Sequence, residues 1–408
     1  MIGWYLGYFQ TGGLRLHDVV VIGGGPVGSY VAYRLAEMGY GVVVVERKER
    51  LSELVCCTGI VGCECINSFN IDDSVILRRA NGASLFSPSG KLFSLRREEP
   101  QACIIDRPAF NVAMADRARD RGVDYVLNSR VTRVEVGSDG VRVEADCRGG
   151  ELNFEARAVV IATGFGSILA ERLGLGRFGD FVAGAQAEVE VVGVDEVEVY
   201  FGQEIAPAFF AWLVPILPQR ALVGLLSRRS PGLYLRRLMS SLQTQGKIVS
   251  AETKLIYSGI PLKPLARTCG ERLMVVGTAA GQVKPTTGGG IYYGLLCAEM
   301  AVNNLHRALE SNDLSAKSMA GYERDWKKKL GWELKMGYRA RRFYEHLSDS
   351  QINRIFDIIK SNGIDDVLLK ADDLSFDWHS GAILRLVGHG AVSKAIEVMK
   401  IPFRLKGR

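Results

Sequence analysis

Residues 17–48 read "HDVVVIGGGPVGSYVAYRLAEMGYGVVVVERK", and this stretch predicts two buried strands joined by a helix. The run "DVVVI" is continuously apolar and β-branched, which is typical of a parallel strand buried on both faces. A cluster of glycines follows, and then Val27, Val31 and Leu35 recur at helical spacing. The run "GVVVVE" supplies the second strand. The stretch therefore predicts a complete βαβ unit and an α/β fold.

The glycines between the first strand and the helix fit the pattern G-x-G-x-x-G at Gly23, Gly25 and Gly28. The first permits a tight turn, the second lets a pyrophosphate approach the backbone, and the third lets helix and strand pack closely. The helix N-terminus offers N–H groups to the phosphates, and Glu46 ends the next strand, where a carboxylate can bind a ribose. The residues predicted to bind a dinucleotide are Gly23, Gly25, Pro26, Val27, Gly28, Glu46 and Arg47.

The dinucleotide is predicted to be FAD rather than NAD, because the chain contains only one such unit and no second nicotinamide domain. Three further features favour FAD. Arg107 begins a helix after a strand, where it would reach the cofactor, and the strand "VVIATG" ends in Ala162 and Gly164. A late strand, "LMVVGTAAG" at 273–281, returns the chain to the cofactor.

Beyond the βαβ unit, nucleotide-binding pieces alternate with a second, sheet-rich region. Alternating strands are predicted from 181 to 260, and mostly helical structure after Ile291. We therefore predict an α/β fold in which a Rossmann-type FAD-binding domain carries an inserted antiparallel-sheet substrate domain and a helical C-terminal region. The predicted ranges are 17–66, 101–180 and 266–310 for the first, 67–100 and 181–265 for the second, and 311–408 for the third.

The composition of the 408 residues is that of a globular protein, with 47% hydrophobic and 24% charged residues. No window holds about 18 uninterrupted apolar residues, and the N-terminus lacks the basic region of a signal peptide, so a cytoplasmic location is expected. Four of the eight cysteines lie in "CCTGIVGCEC" at 56–65, without a C-x-x-C pair or a nearby histidine. We expect reduced thiols rather than a metal site, and we recognise no nucleic-acid-binding module.

A basic segment at residues 321–342 holds eight Lys/Arg against three Asp/Glu, in a chain of net charge +6. Trp326, Trp332 and Tyr338 are interleaved among these charges. Two interpretations remain open: a solvated helical face, or a docking surface for an anionic lipid surface or an acidic protein partner.

Three blocks of the sequence resemble those of a known flavoprotein family. The late block "GTAAGQVKPTTGGGI" (277–291) matches the family's G-D-A-A-G-x-x-x-P-x-T-G-G-G-I at ten positions: Gly277, Ala279, Ala280, Gly281, Pro285, Thr287, Gly288, Gly289, Gly290 and Ile291. The block "PAFFAWLVP" (207–215) matches an aromatic block, and Cys57-Thr58-Gly59 matches a Cys-x-Gly loop. In this order the pieces resemble the FAD-dependent oxidoreductases of the p-hydroxybenzoate hydroxylase-like group. Within that group, residues 17–345 most resemble the geranylgeranyl reductase family.

The resemblance implies that FAD contacts the late block and the Cys-x-Gly loop as well as the βαβ unit. Together with Arg107, Ala162 and Gly164, the cofactor residues that it implies are Cys57, Gly59, Gly277, Thr278, Gly281, Gly288, Gly289, Gly290 and Ile291. Backbone N–H groups of 288–290 are expected to face the electron-rich end of the isoalloxazine, where negative charge builds up on reduction. Cys57 is implied to lie near the flavin as a catalytic proton relay or as a redox-sensitive thiol.

The aromatic block is expected to line an apolar tunnel for a prenyl chain, although a plain hydrophobic core strand explains the same residues. The expected substrate residues are Pro207, Phe209, Phe210, Trp212 and Pro215. The chain departs from the family at three places, since Thr278 and Thr163 replace Asp and Ala208-Phe209 replace two glycines. A Thr hydroxyl bonds a ribityl hydroxyl without charge assistance, and Phe for Gly removes volume from the expected tunnel.

The implied activity is saturation of the C=C bonds of a geranylgeranyl chain, on a lipid or a prenyl diphosphate, by hydride transfer from reduced FAD coupled to protonation. Electrons are expected from a ferredoxin or from NAD(P)H, and peripheral membrane contact is compatible with the basic segment. The alternatives are an FAD-dependent aromatic-type monooxygenase, a non-catalytic FAD-binding protein, and electron transfer to quinone. The last is disfavoured because no cysteine follows Cys297 to build a terminal four-cysteine cluster.

Overall fold

The computed structural model describes residues 16–361, 375–381 and 383–384, so residues 1–15 and most of the region beyond 361 lie outside the described residues. The strands are β1 (Leu16–Ile22), β2 (Val42–Val45), β3 (Ile60–Gly62), β4 (Ile76–Ala80), β5 (Gly82–Phe86), β6 (Leu92–Arg96), β7 (Ala102–Ile105), β8 (Asp124–Val126), β9 (Ser129–Val136), β10 (Val141–Cys147), β11 (Gly150–Ile161), β12 (Phe181–Glu190), β13 (Val197–Phe201), β14 (Phe210–Leu217), β15 (Arg220–Ser227), β16 (Ile256–Pro261), β17 (Cys269–Gly270) and β18 (Leu273–Val275).

The helices complete the architecture. They are α1 (Pro26–Glu37), α2 (Cys63–Ser68), α3 (Arg107–Arg119), α4 (Leu169–Arg172), α5 (Pro231–Thr244), α6 (Ile291–Glu310), α7 (Ala316–Tyr344) and α8 (Asp349–Ser361). Two single turns of 3₁₀ helix span Asp73–Val75 and Gly277–Ala280.

The first βαβ unit lies at the centre of an eight-stranded sheet. β1 pairs in parallel with β2 on one side and with β11 on the other, and the hairpin of β9 and β10 extends from β11. Alternate residues of β1 enter two cores: Val19 and Val21 pack with residues of α1 and α6, whereas Val20 and Ile22 pack with the hairpin. Burial on both faces explains the unbroken apolar run in the sequence, and the predicted βαβ unit is confirmed.

A second sheet of seven strands has the order β16-β12-β15-β14-β13-β5-β6. All of its pairings are antiparallel except that of β13 with β5. α5 covers one face of this sheet with the buried side chains Leu235, Met239 and Leu242. The alternating strands predicted between 181 and 260 are therefore confirmed except at Pro231–Thr244, where the chain forms α5 instead.

A third, three-stranded sheet joins β3, β7 and β4. β4 falls in the range 67–100 that we assigned to the substrate domain, but its partner β7 falls in a range assigned to the FAD-binding domain. β5 and β6, from the same range 67–100, belong to the seven-stranded sheet. The predicted fold class is confirmed: a Rossmann-type α/β unit, additional antiparallel sheets and C-terminal helices. The domain ranges themselves remain predictions.

α6 and α7 are the two longest described helices, of 20 and 29 residues. The basic segment 321–342 lies entirely on α7, and its aromatic residues have different environments. Trp326 is completely buried and donates from Nε1 to Thr268 Oγ1 over 2.8 Å, whereas Trp332 is 56% exposed. Among the described residues, no helix combines the length and the apolar character needed to cross a membrane.

Candidate functional site

The glycine turn after β1 is closed on one side and open on the other. Gly23 has a φ of +110°, and a Cβ there would lie 2.5 Å from the Ala162 carbonyl oxygen. A Cβ on Gly28 would lie 2.0 Å from the Gly23 oxygen, so α1 packs onto this turn without space for a methyl group. A Cβ on Gly25 would meet nothing within 4 Å. The turn therefore leaves its bare backbone open at Gly25, where the fingerprint predicts the approach of a phosphate.

α1 begins at Pro26 directly behind this opening. Its N-cap, Gly25, provides no side-chain hydrogen bond to the first N–H groups. A helix N-terminus without a side-chain cap presents unpaired donors and a partial positive charge. The start of α1 is therefore suited to bind an anion.

Glu46 lies at the end of β2, as predicted, and its carboxylate is tied to the backbone. The amide of Gly24 donates to Oε2 over 2.7 Å, and the amide of Lys48 donates to Oε1 over 2.9 Å. These two bonds hold the carboxylate beside the glycine turn, with 8% of the residue exposed. Each carboxylate oxygen keeps lone pairs with which to accept a bond from a ribose hydroxyl.

A cavity of about 760 Å³ lies over the glycine turn and brings most of the predicted nucleotide-binding residues together. Its lining includes Gly23, Gly25, Pro26, Val27, Glu46, Arg47, Arg107, Ala162, Thr163, Gly164 and Thr278. Five of its side chains are basic and one, Glu46, is acidic; the basic ones are Arg47, Lys48, Arg107, Arg130 and Arg172. Such a cavity favours an elongated, polyanionic ligand.

Two polar atoms at this cavity are buried without a protein partner in the described part of the chain. They are Thr163 Oγ1 and Arg107 Nε, although Arg107 Nη1 does donate to Asn111 Oδ1 over 3.1 Å. Buried polar atoms are normally hydrogen-bonded, so each of these fits a ligand group. The residues present therefore fit the phosphate and ribityl groups of a flavin dinucleotide.

The late glycine loop follows β18 and lies against the start of α1. Gly277 has a φ of +67°, and Cβ atoms on Gly277 and Gly294 would lie 3.1 and 2.7 Å from methyl groups of Val27. Only glycine at both positions lets Val27 fit between the loop and α6. This contact joins the two glycine motifs, which are about 250 residues apart in the chain.

Gln282 anchors this loop and was not predicted. It is completely buried, and its Oε1 accepts from the Gly277 amide over 2.7 Å. Its Nε2 donates to the Tyr322 hydroxyl over 2.7 Å, and that hydroxyl donates to the Val275 carbonyl over 2.9 Å. The family block has a variable position here, and the only signal in the sequence was a polar residue within an otherwise small and apolar turn.

The backbone N–H groups of 288–290 are not all free. Gly288 has a φ of +77°, and its amide donates to the Lys284 carbonyl over 2.8 Å. The Gly289 amide makes a long bond of 3.4 Å to Thr287 Oγ1. Gly290 is the N-cap of α6, which begins at Ile291 without a side-chain cap. Of the three predicted donors, the amide at the helix start is thus the one best placed to meet a ligand.

A buried ion pair lies beneath this loop. Lys284 Nζ is 2.6 Å from Asp377 Oδ1, and the two side chains are 5% and 1% exposed. A Cβ on Gly289 would lie 3.1 Å from Lys284 Cε, and one on Gly62 would lie 2.0 Å from Asp377 Oδ2. The pair therefore fills the space between the glycine loop and β3. Neither residue was predicted, since Asp377 lies 93 positions further along the chain.

His379 packs beside the same pair. Its Nδ1 lies 2.5 Å from Thr286 Oγ1, and its backbone amide donates to Glu333 Oε1 over 2.5 Å. Burial lowers the pKa of His379 to about 4, with the Lys284 ammonium acting in the same direction and the Glu333 carboxylate opposing it. The imidazole is therefore neutral in the folded protein at neutral pH.

This neutral imidazole predicts a loss of stability in mild acid. The unfolded chain has a His pKa of about 6.5 and so binds the proton before the folded chain does. The stabilisation is complete above pH ~6.5 and is lost as the pH falls towards ~4, amounting to about 3 kcal/mol in the free energy of unfolding. Urea unfolding from pH 7.5 to pH 4.5 measures this slope. His379→Gln is expected to flatten it, and an equal slope in the variant would contradict the assignment.

The Cys-x-Gly loop contacts the seven-stranded sheet through Gln186. The Gln186 Nε2 donates to the Cys57 carbonyl over 3.4 Å, and Thr58 Oγ1 donates to Gln186 Oε1 over 3.3 Å. Gly59 has a φ of +73°, and a Cβ there would lie 2.3 Å from the Ile105 carbonyl oxygen. Gln186, which is 4% exposed, was not predicted. It ties the predicted catalytic loop to the second sheet.

Gln186 belongs to a row of residues in register across three strands. It pairs with Gly224 on β15, and Gly224 pairs with Trp212 on β14. A Cβ on Gly224 would lie 2.6 Å from the Trp212 ring, so the indole lies flat over bare backbone. The buried Trp212 Nε1 has no hydrogen-bond partner among the described residues. Trp212 thus offers an apolar face and a free donor on the side of the sheet opposite α5.

The other residues of the aromatic block have less open environments. Phe209 is completely buried, and the Arg341 guanidinium lies 3.6 Å from the centre of its ring. Ala208 has a φ of +59°, which explains why the family has glycine there. Pro215 is buried within β14, while Pro207 and Phe210 are partly buried. Phe209 therefore packs in the core against Arg341, whereas Phe210 and Trp212 are partly exposed. That these residues meet a prenyl chain stays a prediction.

Comparison with known proteins places this chain in a family. The family model described as lycopene cyclase protein matches residues 18–358. A digeranylgeranylglycerophospholipid reductase of Methanocaldococcus jannaschii is 29% identical over 86% of this chain and 93% of its own length. Digeranylgeranylglycerophospholipid reductase 2 of Methanothermobacter thermautotrophicus is 31% identical over 83% of this chain and 90% of its own.

Solved structures of other proteins share this fold. A geranylgeranyl bacteriochlorophyll reductase-like protein of Thermoplasma acidophilum superposes with a TM-score of 0.83 at 24% identity, over 95% of this chain and 99% of its own. A p-nitrophenol 4-monooxygenase of Pseudomonas putida superposes with a TM-score of 0.70 at 19% identity, over 87% and 96%. The resemblance derived from the three sequence blocks is confirmed: the chain belongs to the family of the digeranylgeranylglycerophospholipid reductases, within the broader group that the lycopene cyclase protein model describes.

Proposed function

We propose that this protein is an FAD-dependent reductase that saturates the C=C bonds of geranylgeranyl chains, with a digeranylgeranylglycerophospholipid-type lipid as its substrate. The observation that carries the proposal is the joining of the two glycine motifs by Val27 at a basic cavity, in a chain that belongs to a family of reductases. The aromatic-type monooxygenase is the weaker alternative, because the monooxygenase neighbour shares only the fold.

Different residues of the chain would bind different parts of FAD. The start of α1 and the open backbone of Gly25 would take the pyrophosphate, and Glu46 would accept from the adenosine ribose. Thr163 and Thr278, which both line the cavity, would bind ribityl hydroxyls. Gly290 and Ile291, at the uncapped start of α6, would face the end of the ring system that gains negative charge.

When bound and reduced, FAD supplies a hydride equivalent to a carbon atom. An isolated alkene is a poor hydride acceptor, so the protein must also supply a proton. Cys57 is the group that we propose for this step: its thiol would hold the proton at Sγ, and its loop is fixed by Gln186 to the row that contains Trp212. The Trp212 indole, which lies over the Gly224 backbone, would position an apolar chain and exclude water from it.

The experiment that tests this function measures flavin reoxidation and the hydrogenation of the product in the same reaction. The purified protein is reduced anaerobically and then offered a digeranylgeranylglycerophospholipid, geranylgeranyl diphosphate or p-nitrophenol in separate reactions. We expect flavin reoxidation with the lipid and products that gain hydrogen atoms in pairs. Reoxidation by oxygen alone, with no hydrogenated lipid, would overturn the proposal. Oxygen- and phenol-dependent turnover would establish the monooxygenase instead.

Thr278→Asp tests the placement of the late loop. Thr278 lines the cavity, so a carboxylate at this position would also face a ligand bound there. A charge-assisted hydrogen bond is about twice as strong as a neutral one, so we expect FAD to be retained roughly five-fold more tightly. Flavin release during dialysis measures this, with Thr278→Val expected to weaken retention. Unchanged or weaker retention in Thr278→Asp would mean that the loop lies elsewhere.

We also propose that the exposed part of the basic segment receives the electron donor. Lys328, Trp332 and Lys335 are all exposed on α7, whereas other charges of the segment are already paired, such as Lys327 with Glu323 over 2.5 Å. An acidic protein such as a ferredoxin would be attracted by the free lysines. If this surface receives the donor, the rate of flavin reduction by ferredoxin is expected to fall as the salt concentration rises. The rate of flavin reduction by NAD(P)H is expected to stay unchanged.

A further inference from the structure

An unusually basic stretch surrounds α5. Between Glu204 and Glu252 the chain contains no Asp or Glu, whereas it contains five arginines and one lysine: Arg220, Arg228, Arg229, Arg236, Arg237 and Lys247. Three of the six are paired with carboxylates from outside the stretch: Arg220 with Glu188, Arg228 with Asp180 and Glu345, and Lys247 with Glu198. The other three, Arg229, Arg236 and Arg237, form no salt bridge in the described part of the chain, and such unpaired cations create a positive potential that attracts an anionic partner.

α5 separates its apolar and basic residues onto two sides. Leu235, Leu238, Met239 and Leu242 are buried against the seven-stranded sheet. Arg236 and Arg237 are exposed and neither forms a salt bridge in the described part of the chain, although the Arg237 guanidinium lies 5.7 Å from the centre of the Tyr234 ring. Leu233, in the first turn, is 51% exposed instead of facing the sheet. The exposed side of α5 thus combines arginines that lack a carboxylate partner with an apolar side chain.

Further apolar side chains extend this surface along the edge of the sheet. Tyr257, on the edge strand β16, is 58% exposed, and a Cβ on Gly232 would lie 2.4 Å from its hydroxyl, so it lies against the start of α5. Phe181 is 53% exposed, and its ring centre lies 5.5 Å from that of Phe165. We call the set Phe181, Leu233, Arg236, Arg237 and Tyr257 the α5 face.

We propose that the α5 face docks on an anionic lipid bilayer. This proposal rests on the proposed function, since it names the surface from which a membrane lipid would be taken. Arginines are attracted to anionic headgroups, and Leu and aromatic side chains enter the interface between headgroups and acyl chains. A second copy of the chain is a poor occupant, because two α5 faces would bring like charges together. The same sheet carries the Gln186–Gly224–Trp212 row on its opposite side.

The direct test is binding to vesicles, with no turnover involved. The full-length protein is sedimented with phosphatidylglycerol/phosphatidylcholine vesicles and with pure phosphatidylcholine vesicles. We expect binding to the anionic vesicles only, and at least ten-fold weaker binding for Arg236→Glu/Arg237→Glu, because each cation near an anionic surface contributes strongly to affinity. Leu233→Ser/Tyr257→Ser is expected to lower affinity without changing its salt dependence.

The matched control lies on α7, which also exposes an aromatic residue among lysines. Lys328→Glu/Trp332→Ser is expected to bind anionic vesicles as the wild type does. Loss of binding in the α7 variant with no loss in the α5 variants would overturn the proposal. So would equal binding to neutral vesicles, or binding of an acidic protein to the α5 face with no binding to vesicles. FAD content and reduction of a detergent-dispersed lipid by the dithionite-reduced protein are measured on the α5 variants: normal activity there separates failed docking from a wrong proposed function.

Discussion

Lys284→Met is expected to destabilise the folded protein by about 3–5 kcal/mol and to lower its retention of FAD. The substitution leaves the Asp377 carboxylate, 1% exposed, without its ammonium partner 2.6 Å away. Breaking a buried ion pair by removing one member has a cost of this size, because a charge then stays buried without compensation. Asp377 Oδ2 already has no hydrogen-bond partner in the described part of the chain, so little else nearby offsets the loss. The glycine loop above the pair is expected to loosen with it.

The double variant Lys284→Met/Asp377→Leu distinguishes the contribution of the two charges to stability from the contribution of side-chain packing. Replacing both members of a buried pair by apolar residues of similar volume is often neutral, so we expect the double variant to recover most of the lost stability. Urea unfolding of the two single variants and the double variant gives the coupling free energy. A double variant as unstable as the sum of the singles would contradict the assignment, because it would show that the two charges do not stabilise each other. Separately, flavin retention by each variant reports on the loop.

Gly28→Ala is expected to cost at least about 3 kcal/mol of stability and to abolish FAD binding. A Cβ there would lie 2.0 Å from the Gly23 carbonyl oxygen and 3.1 Å from the Ala162 side chain. Since a real Cβ cannot approach backbone so closely, α1 must move away from β1 and β11, which opens the buried core at their contact. The turn that receives the pyrophosphate would be lost with it. Thermal unfolding and the flavin absorbance of the purified protein measure the two effects.

Gly25→Ala is the matched control. A methyl group at this position meets no protein atom within 4 Å, and the φ of −73° is one that alanine adopts without strain. We expect an unchanged unfolding midpoint for the protein without flavin, together with a large loss of FAD affinity, because the methyl group occupies the space that the fingerprint leaves to the phosphates. If Gly25→Ala binds FAD normally, the pyrophosphate does not cross the turn there.

Much of this protein was predictable because its strongest signals are local. The buried strand, the turn and the helix of the βαβ unit follow from residues within about 30 positions of each other, and burial on both faces appears in the sequence as an unbroken apolar run. Glu46 could be placed because a fingerprint fixes its spacing from Gly28. The late block could be placed because ten of its residues match a family pattern.

Contacts between distant parts of the chain were decided only by the tertiary structure. Nothing local marks Asp377 as the partner of Lys284, or Gln186 as the residue that holds the Cys57 loop, because such contacts depend on how separate elements pack and not on periodicity within one element. The burial of Phe209 beneath Arg341 is of the same kind: the sequence determines that the side chain is aromatic, and only the packing of α7 decides that it belongs to the core. The sequence by itself thus determined the βαβ unit, its glycine turn and the family. The tertiary structure decided which buried charges and amides hold the loops in place, since a polar group inside a protein must find its partner wherever the fold brings one.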